Sequence, residues 1–192
     1  TGRCPHTGGS MQRVIAAIRE QLDRGPMTDR GLEQVRRALQ ETYRDQGFRC
    51  VQNRHWEPGR YLCLKCDEYG FVGMLMVWEK GQATPIHDHG TWACEIVLQN
   101  QIKVTEYCCG EEKPEVVRKG VYGEGDVLSL LPPDGDVHKV EHHSGDYAVS
   151  FHIYGREMSW NRVYVPGEGF IYNQLETKYT VLPEQTSEQL LA

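Results

Sequence analysis

The chain has 192 residues, enough for one domain with a substantial core and no covalent stapling. Hydrophobic residues make up 39% and charged residues 25%, the balance of a globular rather than a disordered chain. The formal net charge of -6 argues against broad nucleic-acid affinity, which needs a basic stripe, but leaves room for a small anion held by one local arginine. In chain order, Val14, Ile15, Ile18 and Leu22 recur at helical spacing and predict a helix from Met11 to Leu22, closed by Gly25-Pro26. A second helix is expected from Thr28 or Asp29 to Gln46, with Leu32, Val35, Leu39 and Tyr43 on one stripe and Gly47 as its stop.

Near Arg60 the hydrophobic period changes to two. Tyr61 to Leu64, Phe71 to Trp78, Ala93 to Leu98, Ile102 to Tyr107, Val116-Val117, Val127 to Leu131, Val137 to Val140 and Tyr147 to Tyr154 predict strands. Turn residues at Glu68–Gly70, Glu79–Gly81, Gln99–Gln101, Gly110–Pro114, Gly123–Asp126 and Pro132–Asp136 separate them. Many short strands with regular turns indicate a mainly β protein, an antiparallel jelly-roll β-barrel with a short N-terminal helical region. The expected organisation is a helical segment over 1–59, the barrel over 60–165 and an extension over 166–192 that offers an edge hairpin from Val165 to Tyr172 and a frayed end from Pro183 to Ala192. There is no GxGxxG or Walker loop.

No apolar run reaches the roughly 18 residues of a membrane span, and Thr1 to Ser10 show no signal-peptide pattern, so a cytoplasmic monomer or small homo-oligomer is expected. The seven cysteines lack the spacing of a secreted disulfide framework. Cys63 and Cys66 form a lone CxxC without the two further ligands that zinc needs.

The chemistry gathers around three histidines. In the extended segment Gly81-Gln-Ala-Thr-Pro-Ile-His87-Asp88-His89, residues two apart share a face, so His87 and His89 can reach one point while Asp88 turns away. A later block, Gly125 to His138 with Pro133 and Gly135 in its turn, returns a third histidine. Ser150, His152 and Tyr154 alternate along one strand and share its face. These blocks resemble the two cupin motifs, except that neither glutamate place holds an acid: Ala93 and Cys94 stand there, and Glu95 lies one step beyond, a step expected to turn it to the other face. Asn100 fills the closing glycine place, which favours the shorter spacing and Ala93.

Pro85 to Trp92, Leu131 to Val140 and Ala148 to Gly155 are, more specifically, similar to the thiol dioxygenases of the cysteine dioxygenase family, in particular its bacterial branch. The resemblance covers roughly Arg60 to Tyr164 and implies a small cupin holding non-haem Fe(II) on His87, His89 and His138. It implies that O₂ oxidises a small thiol carboxylate to its sulfinate, with no nucleic-acid or membrane partner. Tyr154, His152 and Ser150 are then the catalytic wall. Some members crosslink the tyrosine to a cysteine after the HxH block; counting forward points to Cys94, counting back from Asn100 to Ala93 and no crosslink, and the second count is favoured. Cysteine-specific members carry an arginine two residues after a tyrosine on the first strand. The tyrosine matches Tyr61, but the arginine place holds Cys63, which favours 3-mercaptopropionate over cysteine and leaves Arg162, ahead of Arg156, to hold the carboxylate. Trp92 is expected to close the pocket mouth. The alternatives are cysteine dioxygenase, another three-histidine cupin oxygenase, or a non-enzymatic metal- or ligand-binding cupin.

Overall fold

The computed structural model describes residues 11–109, 113–133, 135–175 and 179–182. Thr1 to Ser10, part of the expected turn after Cys109, and the expected frayed end from Pro183 lie outside these. Helix α1 runs Gln12–Arg24 and α2 Asp29–Arg44, two residues short of the expected Gln46. Thr28 caps α2 by accepting the Gly31 amide at 3.1 Å, satisfying one free first-turn donor. A short α3, Arg49–Gln52, follows; four residues are too few to show a helical period in sequence.

The strands are β1 Gly59–Cys66, β2 Phe71–Glu79, β3 Ala93–Cys109, β4 Pro114–Tyr122, β5 Val127–Leu130, β6 Val137–Tyr154, β7 Trp160–Val165 and β8 Gly169–Gln174. All pairings between them are antiparallel. The main sheet has the order β1-β2-β6-β3-β4, with β5 added to β3, and β7-β8 form a separate two-stranded sheet.

This corrects the expectation of a closed barrel. Among the described residues β1 and β4 are unpaired with one another and the six-stranded sheet stays open, giving a mainly β, cupin-like fold of two sheets. Closure requires the outermost strands to find each other with a matched stagger, and alternating hydrophobicity does not encode that.

The expected turn at Gln99–Gln101 and the expected gap between the strands ending at Val140 and starting at Tyr147 are also absent. The chain continues through each, giving strands of 17 and 18 residues. The β3–β6 register shifts at Val97/Gln99, Gln99/Gln101 and Gln101/Ile102. Asn100 takes a left-handed φ of 56° there, and its side-chain amide donates to the Tyr147 carbonyl at 2.6 Å. Gly145 sits opposite with a φ of 75°; a Cβ on it would meet Asn100 Cγ at 2.6 Å. The apparent turn and the apparent gap are thus one shared bend in a paired ribbon.

The core divides across β3 and β6. On one face Cys94, Ile96, Leu98, Val149, Phe151 and Ile153 pack with Val14, Ile18, Val35, Leu39 and Phe48 from the helices. On the other face Ala93 and Tyr154 pack with Val72, Met74, Leu130 and Met158, and farther along Val97 and Ala148 pack with Trp78 and Val104. The helix pair therefore seals one side and leaves the other for a cavity. No described helix is long and apolar enough to cross a membrane.

Candidate metal centre and active site

The segment after β2 carries His87 and His89, and it is tied on both sides. His87 exchanges two backbone hydrogen bonds with His138 at the start of β6, both 3.0 Å. Asp88 N–H donates to the Arg162 carbonyl at 3.0 Å, and Tyr164 N–H to that of Ile86 at 2.9 Å. One extended segment thus bridges β6 and β7, and the alternation of its side chains sends both histidines toward His138.

The three imidazoles surround a point. Their ring centroids are 4.7 to 4.8 Å apart, and one potential donor atom from each lies within 4.8 Å of the others. His87 Nδ1 lies 2.9 Å from the Pro85 carbonyl, and His89 Nδ1 lies 2.9 Å from Asp136 Oδ1. Those acceptors hold a proton on each Nδ1 and leave the Nε2 lone pairs available. Asp136 also accepts the amides of His89 and Gly90 at 3.1 and 2.9 Å, so one buried carboxylate fixes both ring and backbone. His138 carries a buried Nδ1 with no hydrogen-bond partner among the described residues. Burial, and next the charge of neighbouring His89, push His87 down to about 4. Burial likewise drives His138 well below the ordinary histidine range. Three buried, neutral, convergent imidazoles fit a metal ion, which supplies the charge that their protonation cannot.

Asp88, 2% exposed, points away from this centre and accepts Arg162 N–H and Nε–H at 2.9 and 2.6 Å. Arg162 is thereby committed to the outer side of the ligand segment, while its neighbours Asn161 and Val163 face a cavity of about 200 Å³. Arg156 is likewise occupied, donating to the carbonyls of His89 and Trp160 at 2.7 and 2.8 Å.

His87, His89, Tyr154, Asn161, Asn173 and Arg60 give this cavity most of its polar lining, and Met74, Met76, Met158, Val163 and Leu175 most of its apolar lining. Tyr61, Cys63, Trp92 and Arg162, the four side chains assigned to substrate from sequence, are not among its lining residues. Tyr61 stacks edge-on with Trp56 at 5.1 Å and donates to the Glu57 carbonyl at 2.9 Å. Cys63 lies in the helix-side core, where burial pushes its thiol up to about 12. Trp92 is in that same core, beside Gly155.

The reason is strand parity. Tyr61 faces the helix side, so a residue two positions later faces it too. Arg60 faces the cavity, and a register shift between Leu62 and Leu64 then alters the alternation. Arg60 escaped the sequence reading because the tyrosine anchored the count to the wrong face. The available signal was a cation at a strand start, one residue out of phase with Tyr61.

Behind the cavity, Trp78 Nε1–H donates to Ser150 Oγ at 2.8 Å, Ser150 Oγ lies 2.6 Å from His152 Nε2, and His152 Nδ1 lies 3.0 Å from Tyr154 Oη. Tyr154 stacks on His89 with centroids 5.4 Å apart. Burial, and then the charge of Glu95, push its phenol well above the ordinary range. Trp78 was not foreseen as part of this wall.

Ala93 is the register partner of Tyr154 and packs with it, whereas Cys94 partners Ile153 in the helix-side core. Cys94 and Tyr154 therefore lie on opposite faces. Glu95, 1% exposed, does not turn away as expected. It is two residues from Ala93, hence on the same face, with Oε1 3.1 Å from His152 Nδ1.

Fold and site together define a cupin-like protein with a three-histidine metal centre to which no described carboxylate contributes. Residues 14–164 match the family model described as Cysteine dioxygenase type I, and the chain belongs to that family. Its three-histidine set is the donor set of a non-haem iron(II) site of that kind.

Among solved structures, an oxalate oxidase aligns at 14% identity and a TM-score of 0.40 over 46% of this chain and 43% of that chain. A cupin 2 conserved barrel domain protein from Salinispora arenicola CNS-205 aligns at 15% identity and a TM-score of 0.38, covering 50% and 72%. A cupin superfamily protein from Desulfitobacterium hafniense DCB-2 aligns at 14% and 0.39, covering 53% and 79%. The chain thus spans less than half the length of the oxidase it matches, and likeness at this level bears on neither substrate nor mechanism.

Proposed function

We propose that the chain is an iron(II) thiol dioxygenase that converts free cysteine and O₂ to cysteine sulfinate. The observation that carries the cysteine reading is Arg60, a half-buried arginine of the first strand that lines the same cavity as His87, His89 and Tyr154. Its guanidinium is a planar fork suited to a carboxylate, and it acts here where Arg162, tied to Asp88, cannot. A cavity of about 200 Å³ has room for a molecule the size of cysteine.

The reaction balances without another reductant: a thiolate and O₂ become a sulfinate, with both oxygen atoms on sulfur. His87, His89 and His138 would hold the iron(II), which when bound would supply the redox chemistry. The chain supplies the rest. Arg60 holds the carboxylate and so sets where the sulfur falls. Met74, Met76, Met158, Val163 and Leu175 keep the cavity dry, which strengthens each polar contact inside it. Tyr154 forms part of the cavity wall.

One observation favours 3-mercaptopropionate as a second reading. No described cavity-lining residue is acidic, so the protein offers no counter-charge to an ammonium group. Iron-loaded protein offered cysteine, 3-mercaptopropionate and cysteamine, with O₂ uptake and sulfinate followed, separates the readings. Cysteine is expected to give the highest kcat/KM, with cysteamine poor for want of a carboxylate. Arg60→Ala is expected to raise the KM for cysteine about 10- to 100-fold, the cost of one charged hydrogen-bonded pair. A preference for 3-mercaptopropionate moves the substrate to the second reading. Uptake with no thiol, despite bound iron, leaves a non-enzymatic metal-binding cupin.

A further inference from the structure

The carboxylate of Glu95 is buried one strand away from the catalytic wall, in register with His152. A buried carboxylate without a partner is strongly unfavourable, so its neighbours must supply a proton donor. The basic group at ion-pair distance is His152 Nδ1, 3.1 Å from Oε1. Among the described residues neither carboxylate oxygen completes a hydrogen bond of good geometry, so the ring at ion-pair distance is where its proton donor must come from.

The other side of the ring agrees. Trp78 Nε1 can only donate, and it donates to Ser150 Oγ at 2.8 Å. Ser150 is fully buried, and His152 Nε2, 2.6 Å away, can accept the hydroxyl proton. Nε2 then carries the lone pair and Nδ1 carries the proton. Nδ1 faces Glu95 Oε1 at 3.1 Å and Tyr154 Oη at 3.0 Å, and both can accept. With its oxygen accepting from the ring, Tyr154 has its own proton left over, and Tyr154 lines the cavity.

We propose that Glu95 is a positioning residue that holds the proton of His152 on Nδ1 and so turns the Tyr154 hydroxyl into a donor aimed at the cavity. The opposite tautomer would set the Nδ1 lone pair against a carboxylate. It would also let Tyr154 spend its proton on the ring, leaving the cavity without a donor. Burial alone would push the Glu95 carboxyl up, but the His152 ring beside it outweighs burial and holds the carboxyl below its usual range. Glu95 therefore remains the acceptor that this arrangement needs.

The consequence for turnover rests on the thiol dioxygenase reading; the tautomer does not, and the test separates them. Full-length protein with ¹⁵N-labelled histidine and diamagnetic Zn(II) in the metal site reports each ring's tautomer by long-range ¹H–¹⁵N correlation. The His152 signals are identified by their loss in His152→Gln. Wild type is expected to show His152 protonated on Nδ1; a proton on Nε2 alone overturns the proposal with no variant required. In Glu95→Leu the proton is expected to move to Nε2, and in the iron enzyme kcat is expected to fall about 10-fold or more with the thiol KM within about two-fold. Glu95→Gln, whose amide oxygen still accepts, is expected to keep the Nδ1 proton and most of kcat. An unchanged His152 tautomer in both variants, whatever happens to kcat, makes Glu95 a packing residue and overturns the role. If no thiol is turned over by wild type, the spectra alone decide the tautomer, and the failure belongs to the functional reading.

Discussion

On the helix side of β3 and β6 sit Cys94, Ile96, Leu98, Val149, Phe151 and Ile153; one residue out of phase, on the cavity side, sit Ala93, Glu95, Ser150, His152 and Tyr154. The same two strands thus carry two kinds of order. The apolar face is held by many small, roughly additive contacts, so losing one side chain lowers stability by a graded amount. The cavity face is a chain of donors and acceptors in which each group fixes the proton of the next. There, one loss redirects the rest.

The largest expected effect lies at the metal end of the cavity face. His138→Ala removes one of three convergent donors and the backbone partner's ring from His87. Iron retention through gel filtration is expected to fall about 100-fold or more, beyond what loss of an outer hydrogen-bonding group costs, while the fold survives. Wild-type iron content in this variant would break the comparison, because the face would then tolerate deletion.

A smaller and different effect is expected across the strand. Phe151→Ala empties a fully buried site whose ring lies 5.6 Å from that of Phe48. Denaturant unfolding is expected to show a loss of about 3–5 kcal/mol. Below the lowered Tm, kcat per bound iron is expected to stay near wild type. A large fall in kcat per iron would show that the two faces are not separable.

The smallest effect is a pH dependence confined to one face. In metal-free protein, burial lowers His87 from 6.5 to about 4 and lowers His138 well below the ordinary histidine range. The unfolded chain takes up protons as pH falls below about 6.5, and the folded chain resists until about 4 or beyond. The stability contributed by keeping these rings neutral is therefore complete above about 6.5 and declines as pH falls toward 4. Urea midpoints of the metal-free protein at pH 7.5 and pH 5 are expected to show this, with the same difference in Phe151→Ala. A difference abolished by that substitution would contradict the division into two faces.

Much of this was legible in the chain. Val14, Ile18, Val35 and Leu39 announced the helix pair, because a 3.6-residue stripe is a local property. His87, His89 and His138 announced the metal centre, because an extended segment sends residues two apart to one side. The same alternation placed Ser150, His152 and Tyr154 together. It was also the source of the misplacements. Counting from Tyr61 led to Cys63 on the helix side, while Arg60 stood on the cavity side. Glu95 was judged against Cys94 rather than Ala93, and so was expected on the wrong face.

The sequence by itself therefore determined the periodic elements, the convergent imidazoles and the alternation within each strand, since these depend on neighbours a few residues apart. The tertiary structure decided which face of each strand looks into the cavity, that the main sheet stays open, and that the apparent turn and the apparent gap form one bend at Asn100 and Gly145. It also tied Arg162 to Asp88 and brought Glu95 to His152. Each of these depends on pairing and register between strands distant in sequence, where a shift of one residue exchanges cavity for core.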